Sequence, residues 1–128
     1  MAHERELDQE TALCFLDLID TLDYSGNHEK SKELMSESCF LMKKFGSNEV
    51  ICSRCLKAVF SKMNDKESNN TIDIYTLNFI VLEKNFCEIG GVEAVVKAIN
   101  THIDSPDVCQ WGCFILRNIA DNGKQYQQ

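Results

Sequence analysis

The chain holds one proline and six glycines in 128 residues. That scarcity excludes collagen-like and Pro/Gly-rich low-complexity classes. No Asn-Gly or Asp-Gly pair stands between alternating apolar runs, so β-hairpins are not indicated. Long hydrophobic runs are missing too. The longest aliphatic or aromatic stretch, Phe79-Ile80-Val81-Leu82, is too short to cross a bilayer. The start, Met1-Ala-His-Glu-Arg-Glu6, lacks the apolar region of a secretory signal. The expectation is a soluble protein of the reducing cytoplasm, with no membrane partner.

Basic charge is also short. Thirteen Lys and Arg face twenty Asp and Glu, a net charge of −7. The cations are scattered apart from Lys43-Lys44. Nucleic-acid binders need a basic face against phosphates, so nucleic acid is a poor partner. A protein or peptide partner of basic or mixed charge fits an acidic chain better.

What is plentiful is apolar residues, 44% of the chain. That is enough for one globular core. Seven cysteines are present, an odd number, mostly inside helix-periodic segments. They read as small buried hydrophobes rather than a disulfide framework. Cys52-Ser-Arg-Cys55 invites a zinc reading, with Cys109 and Cys113 to complete four ligands. No turn-borne ligand pair accompanies them, so neither a metal nor another cofactor is expected. His3, His28 and His102 select no cysteine partner for nucleophilic catalysis, and no phosphate-binding glycine loop occurs. Nothing here asks for an enzyme.

Helical spacing is plain in three places. Phe15, Leu18, Ile19 and Leu22 stand at i, i+3, i+4 and i+7. So do Leu56, Val59, Phe60 and Met63, and so do Val92, Val95, Val96 and Ile99. Ser105-Pro106-Asp107 predicts a helix start, with Ser105 as cap and Pro106 at the first helical position. Gly26, Gly46, Gly90, Gly91 and Gly123 fall where helices are expected to end or begin. His28 and the polar run Asn64 to Asn70 are expected in loops.

The stripes recur. A second block follows each one: Cys39-Phe40-Leu41-Met42, Asn78-Phe79-Ile80-Val81 and Cys113-Phe114-Ile115-Leu116. Two helices recurring every 35 to 41 residues predict units of armadillo or HEAT size. Such units bury their apolar faces only by stacking. The expected architecture is all-α, a single domain over 1–128 with approximate units at 7–46, 47–84 and 85–122. Residues 123–128 would begin a truncated unit or form a tail.

Residues 82 to 122 resemble an armadillo repeat. Gly90-Gly91 matches the family's short first helix and glycine pair. Phe114-Ile-Leu-Arg-Asn118-Ile-Ala120 matches its third-helix pattern. The wording is closest to the divergent armadillo repeats of large multidomain proteins such as leucine-rich-repeat kinases. The resemblance implies a right-handed α-α superhelix serving as scaffold or adaptor, without catalysis. It also implies that Asn118 lines a concave groove and hydrogen-bonds an extended peptide. Alignment on the phenylalanines puts Lys44 and Glu83 at the matching positions. The implied groove residues are then Lys43, Lys44, Glu83, Trp111, Phe114, Arg117 and Asn118. A charged groove of this kind would select by charge. Trp111 reads either as core packing or as an anchor for a partner. The competing expectation is a segment of a larger helical scaffold, assembling end to end or self-associating through an apolar C-terminal face.

Overall fold

A computed structural model describes residues 8–21, 28–63 and 82–126. Among them the chain is all helical, with no strand. The helices are α1 (Gln9–Thr21), α2 (His28–Lys44), α3 (Glu49–Met63), α4 (82–88), α5 (Gly91–Thr101) and α6 (Pro106–Tyr126).

Three of these helices start in the same way. Asp8 Oδ1 accepts from the amide of Thr11 at 2.9 Å, and its carbonyl accepts from Ala12. Asn48 Oδ1 accepts from Ile51 at 3.0 Å, and its carbonyl from Cys52. Ser105 Oγ accepts from Val108 at 3.3 Å, and its carbonyl from Cys109. Each cap satisfies amides that the first turn of a helix leaves without partners.

The turns before α3 and α6 agree further. The amides of Phe45 and His102 close the preceding helices on Leu41 and Ala98. Cys52 Sγ donates to the carbonyls of Phe45 and Gly46, and Cys109 Sγ to those of His102 and Ile103. Short turns like these fold α2 back on α3 and α5 back on α6.

Packing follows the same scheme. α3 lies against α1, α2 and α6, while α5 lies against α6 and α2. So α1, α3 and α6 make one layer with α3 in the middle, and α2 and α5 pair in a second. The helix starts are tied along one edge. Asn48 Nδ2 donates to Gln9 Oε1 at 3.0 Å, and His102 Nε2 donates to the Gly46 carbonyl at 2.8 Å. Neighbours joined start to start run parallel, so the three-helix layer is a parallel row.

The core fills the space between the layers. Leu16, Leu41, Ile51, Leu56, Val95 and Ile115 are among its fully enclosed side chains. Gly112 lets α5 and α6 close up, since a Cβ there would come within 2.8 Å of Ile99. Gly90 has φ 87°, a left-handed conformation glycine adopts without strain, and it turns α4 into α5. Ser105 and Pro106 stand where the sequence put them.

Several expectations need correction. α1 buries Ala12 and Leu16, and Leu18 from the proposed stripe is 55% exposed. Val96 and Phe40 are also exposed. His28 begins a helix rather than lying in a loop, and α6 continues through Gly123. Of the cysteines, Cys39, Cys52 and Cys55 are buried, but Cys14, Cys87 and Cys113 are exposed. The expected loop at Asn64 to Asn70 and the block Asn78 to Val81 lie outside the described residues. So do Leu22 and Gly26.

Candidate functional site

The residues of interest lie on the row α1-α3-α6, at the seam between α3 and α6. The caps set its register. Asn48 and Ser105 stand 57 residues apart, so by sequence position Lys57 on α3 corresponds to Phe114 on α6. Phe60 likewise corresponds to Arg117, and Ser61 to Asn118.

At the α3–α6 seam three aromatic side chains meet. Phe60 lies 5.5 Å from Trp111 and 5.3 Å from Phe114, ring centroid to centroid, both tilted. Trp111 meets Phe114 edge-on at 5.9 Å. These separations and tilts are those of favourable aromatic pairs. All three residues are half-buried, and Phe60 and Trp111 pack against the core. Trp111 is thus packed against the core while part of it stays accessible.

Lys57 and Arg117 are exposed beside this cluster. Across α3, Arg54 pairs with Asp17 of α1 at 2.7 Å. Asn118 is half-buried one turn beyond Phe114. The surface thus offers apolar ring faces and cationic donors.

The structure brings Trp111, Phe114, Arg117 and Asn118 together on α6 and adds Phe60 from α3. It does not bring the other three to them. Lys43 and Lys44 are exposed in the last turn of α2, in the second layer. Lys43 Nζ lies near Gly90, and Lys44 Nζ sits 5.8 Å from the Phe45 ring centroid. Glu83, on α4, is only 2% exposed and presents no carboxylate to the surface. The error was one of register. Alignment on Phe40 and Phe114 equates α2 with α6, whereas the caps and the packing equate α3 with α6. The signal was present in Asn48-Glu-Val-Ile-Cys52 and Ser105-Pro-Asp-Val-Cys109, each a polar cap followed by an acid, a β-branched residue and cysteine. Aligning on those segments would have placed Phe60 at the site.

The cysteines weighed as zinc ligands are not assembled. Cys52 and Cys55 lie in the core, and Cys113 is exposed on α6. Among the described residues no group of three His, Cys, Asp or Glu side chains is placed to hold a metal ion. Nor is any described helix long and apolar enough to cross a membrane. No family model matches the chain, and no curated protein or solved structure matches it.

Proposed function

We propose that this chain is an armadillo-like interaction module that binds a peptide or helix of another protein along the α1-α3-α6 face. On this reading α1, the pair α2–α3 and the trio α4–α5–α6 are successive units of a right-handed superhelix, and the parallel row is its inner surface. The recurring caps support the units, and the turn at Gly90 supports the three-helix form of the last one. The observation that carries the binding reading is the half-exposed cluster Phe60-Trp111-Phe114. A monomer leaves large rings part-open at a cost in hydration, and such rings are enriched among residues that dominate binding energy.

The test is capture of partners from a cell extract, read by mass spectrometry. The natural chain runs beside Trp111→Ala/Arg117→Ala, with circular dichroism confirming equal helicity. Partners lost from the variant alone are the expected result. Retention of every partner by the variant sinks the reading.

One observation favours a second reading, a scaffold segment assembling end to end. α5 carries an open groove lined by Val92, Val96, Lys97 and Asn100, and Leu18 is exposed on α1. Concentration-dependent growth in mass by light scattering, abolished by Val96→Glu, is the result that reading requires.

A further inference from the structure

We infer that the segment docking on the Phe60-Trp111-Phe114 cluster is acidic, carrying carboxylates on either side of one aromatic or aliphatic anchor. The inference rests on the α1-α3-α6 face being the binding surface, and it goes beyond that by naming the partner's chemistry. It also departs from the whole-chain charge, which at −7 points toward a basic partner.

The argument is local. Lys57 stands three residues before Phe60, and Arg117 three after Phe114, so each cation shares a helix face with a ring of the cluster. Lys57 precedes Phe60 on α3 and Arg117 follows Phe114 on α6, and because the Phe60 ring meets Trp111 and Phe114, the two cations stand toward opposite ends of the cluster. Both are exposed, and among the described residues neither makes an ion pair. Arg54 differs, since Asp17 already answers it at 2.7 Å. A partner that covers the rings must also take water from Lys57 and Arg117. Burying a cation without a counter-charge is costly, and a carboxylate removes that cost. The Arg117 guanidinium can hold a carboxylate through two parallel donors, which a neutral segment cannot match. The anchor side chain then fills the solvent side of the rings. Asp107 lies one turn before Trp111 and Asp121 one turn after Arg117, both exposed. They bound the cationic stretch and confine the favoured acids to its middle.

The test uses short random peptides displayed on phage, selected on the natural chain. Enriched sequences are synthesised without tryptophan, so that Trp111, the only tryptophan, reports occupancy by its emission. The expected result is enrichment of acidic peptides with one large apolar residue. These shift the Trp111 emission and bind Lys57→Glu/Arg117→Glu at least about tenfold more weakly. Enrichment of basic peptides that still shift the emission overturns the acidic assignment and leaves the face as the binding surface. Peptides that leave the emission unchanged and bind Phe114→Ala as tightly as the natural chain overturn both. So does a selection that enriches nothing.

Discussion

Three thiols lie where water does not reach them. Cys39, Cys52 and Cys55 are at most 3% exposed. Burial pushes Cys39 and Cys52 up to about 11. Cys55 goes higher still, first from burial and then from its neighbours Cys52 and Cys39. Folding therefore holds these thiols protonated at a pH where the unfolded chain releases its protons. Between the ordinary thiol range, about 8.5, and 11, the unfolded state binds fewer protons, so stability falls as pH rises. Each thiol should contribute a loss on the order of 1 kcal/mol per pH unit there. Urea midpoints at pH 7.5 and pH 9.5 measure the loss, and Cys52→Ala should shrink it. Iodoacetamide should label Cys14 and Cys113 in the folded chain and leave the three core thiols until it unfolds. An apolar, helix-periodic context hides these distinctions in the sequence. It places a cysteine beside a stripe without saying which side is covered.

A second residue stands out for the opposite reason. Ser38 is fully buried, and among the described residues its hydroxyl has no hydrogen-bond partner. By the register of the two turns it corresponds to Val95, which is also fully buried. A buried hydroxyl with nothing to bond costs free energy that an apolar side chain does not. Ser38→Ala should therefore stabilise the fold by about 1 kcal/mol. An unchanged or lower urea midpoint would show that the hydroxyl is satisfied after all.

At the scale of helices, the caps mattered more than the stripes. The apolar period correctly announced helices at α1, α3 and α5, because any amphipathic helix needs a covered face. It could not say which helices are equivalent, since one apolar stripe resembles another. Caps carry that information because each polar side chain must reach its own amides. Lys44 and Glu83 thus lie on other helices than the phenylalanine alignment implied, while Trp111, Phe114, Arg117 and Asn118 stand along one side of α6 as their spacing implied. Phe60 was not, because its role depends on which helix lies beside it. Glycine positions were partly legible. Gly90 ends a turn, as expected, but Gly112 sits inside α6 to admit Ile99. Gly112→Ala should cost about 1–3 kcal/mol by forcing α5 and α6 apart. Ile99→Val beside it should recover part of that, which a helix-propensity effect would not.

At the scale of the molecule, an all-helical chain was evident from scarce proline, scarce glycine and repeated apolar spacing. The layering was not, because it depends on contacts between helices far apart in sequence. Asn48 with Gln9, and His102 with Gly46, join starts that no local pattern connects.

That stitching has an electrostatic consequence. Helices that alternate in direction cancel one another's dipoles, but α1, α3 and α6 point the same way. Each contributes roughly half a positive charge at its start, so the stitched edge gathers three such ends from backbone alone. Glu10, Glu49 and Asp107 occupy the first turns there and answer that field. Changing all three to amides should lower stability by about 0.3–1 kcal/mol for each site, and less so in high salt. The row would then present its bare backbone polarity to the solvent, as a magnet does when its keeper is lifted away.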